Sequence, residues 1–600
     1  MSMEKWLIAA KKADFNKWSR MFGIDPVLAR IIRNRDITEE AEVERYLHGT
    51  MQNCYSPWLL AGMEEAAALI RRAVENEMSI RVIGDYDVDG ICSSYILTEG
   101  LRCLGARVDT AIPHRIRDGY GLNDTLIQEA VQDGIRMIIT CDNGIAAAPQ
   151  IAMAKENGIL TVVTDHHEVP FVEEDGGRRE ILPPADAVVD PKQKACGYPF
   201  PGICGAVVAY KLIQALCERM GDSTGGNPTG GKPGENALLR KLLPFAAMAT
   251  VCDVMELKDE NRIIVREGLR LFRETGNPGL RALAEVNGLD LREINSYHLG
   301  FVLGPCMNAT GRLDTARRAL ELLESRTKVE AYTAATELKE LNDSRKNMTL
   351  RGVEQAERQI AERHLERDKV MIIFLPEVHE SLAGIIAGRI RERYHKPVFV
   401  LTKGEEGVKG SGRSIEAYHM YQSMAAVEQY FIKFGGHRQA AGLSMREEDI
   451  ESLREALNRT AELTEEDFIP RVHIDVPMPM SYARIELARQ MEVLEPFGAG
   501  NPKPLFAQKD VRFVAGRRIG ADGQYARFTV LPGEGEERAE LMYFGDLEAF
   551  MMFLEERYGV GSAEELFSGR GDYPVSITYQ IGINSYQGRE RLQYIMQNYC

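Results

Sequence analysis

The chain has 600 residues, 44% apolar and 27% charged, with 89 acidic against 73 basic side chains and a net charge of −16. At roughly one domain per 150 residues this implies about four domains, and the composition excludes a disordered or fibrous protein. No apolar run approaches the roughly 18 residues of a membrane span, and the acidic balance excludes nonspecific adhesion to polyanions, so any nucleic-acid partner is held by local patches.

The opening MSMEKWLIAAKKADF lacks the length and cleavage pattern of a signal peptide, and a cytoplasmic protein is expected. Residues 1–70 read as a helical segment in which DITEEAEVERYL carries a capping pattern. From Ser79 the short apolar runs SIRVIG, IRMIITC, GILTVVT and ADAVVD alternate with helical stretches, the signature of a mostly parallel sheet flanked by helices over residues 71–271. Within that domain DSTGGNPTGGKPG (222–234) matches the first seven positions of a phosphate loop, but Pro233 stands where a hydroxyl must hold magnesium, so the stretch reads as an insertion. Residues 272–367 read as a helical connector, because ARRALELLESRTKVEAYTAATELKELNDSRKNMTLRGVEQAERQIAER has no proline, one glycine and dense charge pairs, predicting a long spacer helix. A smaller α/β domain follows over 368–460, and the short strands of 461–600 predict a Greek-key barrel of the OB type. Ten cysteines contain no CxxC pair, which argues against zinc or iron–sulfur, and several, such as Cys252, sit in apolar runs as small hydrophobes.

The chemistry begins at VIGDYDVDG (82–90), where Asp85, Asp87 and Asp89 follow an apolar run and precede a helix. That places them in a strand-to-helix turn at the carboxyl edge of the sheet, where open α/β folds bind ligands. Asp142 follows MIITC, Asp165, His166 and His167 follow TVVT, and Asp253 ends FAAMATVC, read here as a further strand. Parallel strands point their carboxyl ends one way, so these groups converge. Two carboxylates about 4 Å apart repel by roughly 4 kcal/mol at an effective dielectric of 20, so a cation is required. Oxygen-rich ligands with one imidazole favour Mn²⁺ or Mg²⁺, and a pair of ions suits in-line attack on phosphorus.

DYDVDG, TCDNG, TDHH and ATVCD, in this order, resemble the DHH phosphoesterase superfamily. GPCMNATGR (304–312), HESLAGIIAGRI (379–390), GSGRS (410–414), GGHRQAAG (435–442) and EPFGAGNPKPLF (495–506) extend the resemblance, and over residues 50–600 the set is similar to the bacterial RecJ family of single-strand-specific 5′ to 3′ DNA exonucleases. The resemblance implies a parallel-sheet DHH domain joined by a long helix to a smaller DHH-associated (DHHA1) domain, followed by an OB-like barrel. It implies Asp89, Asp142, His166 and Asp253 as ligands of one metal and Asp87 with Asp142 as ligands of the other, with Asp165 and His167 completing the motif. Asp142, His167 and His437 are the expected catalytic residues, His437 facing the scissile phosphate. Arg115, Asn308, Arg312, Ser411, Arg413, Gly435, Gly436 and His437 are the expected substrate contacts, with Arg115, Arg312, Ser411 and Arg413 forming a pocket for the 5′ end. The expected cofactors are two Mn²⁺ or Mg²⁺ ions. The expected partners are single-stranded DNA with a 5′ end, a helicase and a single-strand-binding protein, with the enzyme a monomer in DNA repair and recombination. Cys306 and Met307 depart from the family's basic and aliphatic residues, which removes an expected DNA contact. Phe513, Tyr525, Phe528, Tyr543 and Phe544 of the barrel are candidates for base stacking or for its core. The competing readings are a DHH phosphodiesterase acting on dinucleotides and a catalytically silent single-strand-binding scaffold.

Overall fold

The computed structural model describes residues 4–114, 121–174, 177–220, 237–404, 407–533, 537–585 and 588–600, with the backbone of Tyr586. The glycine-rich stretch 222–234 and Arg115 lie outside the described residues. The chain divides into two compact units, Asn53–Phe468 and a second made of the chain up to Gln52 together with Ile469–Cys600.

In the larger unit, five parallel strands form a sheet in the spatial order Arg107–Ala111, Ser79–Ile83, Met137–Cys141, Leu160–Thr164, Ala187–Val189. Numbered along the chain, this order is 2-1-3-4-5. The chain winds in opposite directions from the first and third strands, which leaves a crevice at their carboxyl ends. Ile80, Val82, Met137, Ile138, Ile139, Val162 and Val163 are buried because helices cover both faces of a parallel sheet. FAAMATVC lies in a helix, Ala237–Cys252, and not in a strand as the sequence reading has it. Its residues from Leu242 to Thr250 are all buried, so an unbroken apolar run is satisfied on every side of a helix.

The spacer helix is real: Lys328–Arg363 is capped by a reciprocal Thr327–Glu330 box and spans about 54 Å at 1.5 Å per residue. Ala331, Ala335, Leu338, Asn342, Thr349, Gly352, Ala356 and Ile360 form one buried stripe along it. Beyond it a five-stranded sheet is ordered Lys433–Gly436, Ala440–Met445, Gly407–Arg413, Val398–Gly404, Met371–Phe374, with only the last pair parallel.

In the other unit, Phe506–Ile519 pairs with both Tyr525–Leu531 and Tyr573–Tyr586, closing a barrel. Ala539–Tyr543 runs parallel to Arg589–Tyr599. Phe513, Phe528 and Tyr543 point into its core with Phe550, which withdraws these three from base stacking. Tyr525 and the exposed Phe544 remain outside that core, ring centroids 5.4 Å apart. The amino-terminal segment is not wholly helical, because Lys5–Ile8 is a strand paired in parallel with Arg471–Ile474. Trp18, Leu28, Ile31, Val43 and Leu47 from its helices join the barrel's core cluster.

Candidate active site

The aspartates of the first turn are separated by geometry. Asp87 caps the helix Val88–Cys103, its Oδ1 accepting from the N–H groups of Asp89 and Gly90 at 2.9 and 3.2 Å. Gly90 is required there, since a Cβ would stand 2.4 Å from the Asp85 carbonyl oxygen. Asp89, one position inside the helix, is buried and accepts from the Gly205 and Ala206 N–H groups, both at 2.7 Å, at the start of the helix Gly205–Met220. Asp142 follows the third strand in a left-handed conformation, φ 59°. Asn143 donates to the carbonyls of Ile83 and Cys141 at 3.1 and 2.9 Å, tying together the two strand ends that bracket the crevice.

His166 Nε2 lies 3.0 Å from Asp142 Oδ1, 3.4 Å from Asp89 Oδ2 and 3.8 Å from Asp253 Oδ2. Asp253 arrives from the end of a helix, yet reaches the same crevice. Ligand atoms gather within 4.8 Å of one another in three overlapping groups: Asp89, His166 and Asp253; Asp85, Asp87 and Asp142; Asp142, His166 and His167. All five expected metal ligands therefore meet, and the structure adds Asp85 to the second group. Its place in DYDVDG was the available signal. Asp165 holds the loop instead: its Oδ1 accepts from the His166 and His167 N–H groups and bonds His167 Nδ1 at 2.7 Å, while its Oδ2 accepts from the Ile145 N–H.

Burial, then the charges of Asp89 and Asp87, push the Asp142 carboxyl well above the usual range. Burial and Asp89 raise Asp87 as well, and burial with Asp89 and Asp87 lifts Asp253 to about 8. Burial lowers His166. Burial opposes the charged form of His167, but its bond to Asp165 and the nearby acids overcome this and raise it to about 9. Carboxyls driven toward protonation mark a site short of positive charge. The donor set, oxygens with one or two imidazoles, fits Mn²⁺ or Mg²⁺.

Of the expected substrate contacts, Arg312, Ser411 and Arg413 line one cavity of about 310 Å³ together with Tyr86 of the DYDVDG turn, Lys409 and Gly384. Arg312 donates to the Ser381 carbonyl at 2.7 Å. Arg413 donates to the Gly412 carbonyl at 2.8 Å and pairs with no carboxylate among the described residues, while burial and Arg391 lower its pKa. A Cβ on Gly384 would stand 2.7 Å from the Arg413 guanidinium, so glycine admits it. Asn308 Oδ1 accepts from the Val88 N–H at 3.2 Å and so steadies the acidic turn. Gly435 and Gly436 end a strand, and at Gly436, φ 148°, a Cβ would stand 2.4 Å from the Ala440 carbonyl oxygen. His437 is exposed on the turn after them, its N–H donating to Ala440 at 2.8 Å, with no hydrogen bond or ion pair to the acidic crevice among the described residues. Cys306 and Met307 are fully buried, so position 306 faces the interior and not a strand of DNA.

The parallel sheet, its acidic switch-point crevice and the cationic cavity lined by Tyr86, Arg312, Ser411 and Arg413 define a DHH-class phosphoesterase. Residues 79–249 match the DHH family N-terminal domain, 367–463 the DHHA1 domain and 474–598 the RecJ OB domain. The chain belongs to the RecJ family. It is 31% identical over 596 residues to the single-stranded-DNA-specific exonuclease RecJ of Escherichia coli, covering 96% of each chain. It is 30% identical to that of Haemophilus influenzae, covering 95% of each. It is 34% identical to that of Bacillus subtilis over 84% of this chain, and there spans 62% of the relative's length. The fold matches Thermus thermophilus RecJ in complex with Mn²⁺ at a TM-score of 0.79 and 25% identity, over 99% of this chain and 79% of that one. It matches an exonuclease RecJ bound to manganese at 0.57 and 31% identity, over 69% and 98%.

Proposed function

We propose that the chain is a 5′ to 3′ exonuclease that hydrolyses single-stranded DNA to 5′-mononucleotides with two divalent cations, Mn²⁺ or Mg²⁺. Asp89, Asp142, His166 and Asp253 would hold one cation, and Asp85, Asp87 and Asp142 would hold the other. When bound, the cations supply an activated water and neutralise charge building on the phosphoryl oxygens. The chain's own residues do the rest. Asp165 fixes the His166–His167 loop, and Asn308 and Gly90 fix the turn that carries Asp85, Asp87 and Asp89. His167, held by Asp165 and half-exposed beside Asp142, is placed to donate to a phosphate oxygen or leaving group. His437 is the corresponding group from the glycine-rich turn, and Gly435 and Gly436 let a sugar–phosphate backbone lie against it.

The observation that carries this reading is the cavity holding Arg312, Ser411 and Arg413 next to Tyr86, between two metal-group residues in sequence. Two guanidiniums and a hydroxyl make a fork for a terminal phosphate, and an end-binding pocket beside the cleavage site makes an exonuclease. The barrel adds a strand-binding face: Arg527, Arg589 and Arg591 line a second cavity, of about 740 Å³, on the strands and loops that OB folds use for oligonucleotides. These three arginines carry no motif by which the sequence marks them. In this reading the protein acts as a cytoplasmic monomer, and a helicase and a single-strand-binding protein supply the single strand during repair and recombination.

A time course with Mn²⁺ on 5′- and 3′-labelled single strands beside a duplex tests the proposal. Mononucleotides released first from the 5′ label, with the duplex intact, support it. Release from the 3′ label first, or faster cleavage of a dinucleotide than of a long strand, contradicts it.

A further inference from the structure

The other end of the crevice, taken with the nuclease reading above, carries a second feature that could hold a strand. Helix Ala237–Cys252 ends by delivering Asp253 to the metal groups, and its cap is unusual. The N–H of Val254 donates to Val251 O at 3.2 Å and that of Met255 to Thr250 O at 3.1 Å, a helix stop that normally uses glycine at the left-handed position. Here Val254 occupies it at φ 57° and is 72% exposed. A β-branched residue in that region is strained.

Against this helix end packs a π-helical turn, Leu299–Leu303. Cys252 Sγ donates to the Leu299 carbonyl at 3.5 Å, and a Cβ on Gly300 would stand 3.3 Å from Val251. The widened turn leaves Tyr297 and Phe301 outside, 62% and 70% exposed, with rings stacked at 5.1 Å and 21°. Two large, nearly parallel aromatic faces with this much exposure bury little of their surface in the fold, and π turns occur frequently at functional sites.

The following helix, Gly304–Leu313, gives the direction. A Cβ on Gly304 would meet Cys252 Sγ beside Asp253, whereas Gly311 abuts the Tyr86 carbonyl and Arg312 lines the anion cavity. The helix therefore runs, over about 12 Å, from the Asp253 side of the crevice to the cationic cavity. A strand whose 5′ phosphate sits at Arg312 and Arg413 passes the metal ligands and leaves on the Asp253 side, the end of the helix against which the π turn carrying Phe301 packs.

We infer that Tyr297 and Phe301, with Val254 beside them, form a base-stacking platform for the single strand on the 3′ side of the cleavage site. Every base has a π face, so the platform grips without reading sequence. It predicts a preference for a strand over a dinucleotide, which ends before reaching it.

The test compares wild type with Tyr297→Ala, Phe301→Ala, the double variant and Phe301→Trp. Substrates are a 5′-phosphorylated dinucleotide and a long 5′-phosphorylated strand carrying 2-aminopurine at successive positions. Both residues are exposed, so thermal melting should match wild type in every variant. The platform predicts that each alanine raises KM for the long strand about tenfold more than for the dinucleotide. It also predicts that 2-aminopurine at one downstream position is quenched in wild type and Phe301→Trp, and brightens in the double variant. Equal losses on both substrates, or quenching unchanged in the double variant, overturn the platform and leave the nuclease reading standing. A wild-type protein that cleaves neither substrate overturns both.

Discussion

Asp142 carries a tightly constrained carboxyl: buried, at positive φ, and facing Asp89, Asp87 and Asp85. Its raised pKa has a sign. A carboxyl whose folded pKa exceeds its unfolded value of about 3.9 stabilises the fold below that pH and loses the contribution as pH rises through the folded value. Asp253, at about 8, loses its contribution across that range, and His167, raised to about 9, has the same sign and extends the loss beyond pH 8. The metal-free protein should therefore lose melting temperature between about pH 4 and 8, and Mn²⁺ should restore more of it at pH 8 than at pH 5. Melting curves with EDTA and with Mn²⁺ check this, and a Mn²⁺ effect independent of pH contradicts it. Asp142→Asn should melt higher than wild type without metal, yet lose metal-induced stabilisation and all cleavage above background. Asp165→Asn spares the direct ligands and loosens the loop behind them, so metal affinity should fall about 10- to 100-fold. In the end-binding cavity, Arg413→Ala should raise KM for a 5′-phosphorylated strand about tenfold or more, the scale of a lost charge-assisted hydrogen bond. A 5′-hydroxyl strand should respond far less.

Helices and strands position these residues through close approaches that tolerate no extra atoms. A Cβ at Gly205 would stand 2.8 Å from the Asp142 Cβ, at the helix start whose N–H groups hold Asp89. Gly205→Ala should displace two ligands together and weaken Mn²⁺ binding while costing about 1–3 kcal/mol of stability, as titration calorimetry and denaturant melts would show. At this scale much was legible in the sequence, because a strand ending in Asp or His before a helix has a defined place in a parallel sheet. Asp253 lies with Asp89 and His166 but follows a helix where the sequence suggests a strand, since an apolar run of eight residues has no period that separates a buried helix from a buried strand. The strand Lys5–Ile8 escaped notice because its partner, Arg471–Ile474, lies hundreds of residues away and a four-residue strand has little pattern of its own. Tyr297 and Phe301 carry no sequence motif, and nothing in residue order announces a π turn. Phe513, Phe528 and Tyr543 could be core or surface until the barrel's alternation was seen.

Across the whole molecule, a net charge of −16 coexists with cationic cavities in both units. Binding of a strand should accordingly be local and strongly salt-dependent. Removing Arg591 from the barrel face should weaken long strands and lower the salt slope by about one phosphate contact, with little change for a dinucleotide. The domain order was visible in the motifs, but the joining of the amino-terminal helices to the barrel was not. Trp18, Leu28 and Val43 look like an independent apolar face until the fold supplies their partners. What ties the account together is the claim that acids from distant segments meet around two divalent cations. Anomalous diffraction at the manganese edge, from crystals grown with Mn²⁺, tests it most directly. The account predicts two peaks, one among Asp89, His166 and Asp253 and the other among Asp85, Asp87 and Asp142. No peak in the crevice, or a manganese ion held elsewhere with these acids apart, would contradict it.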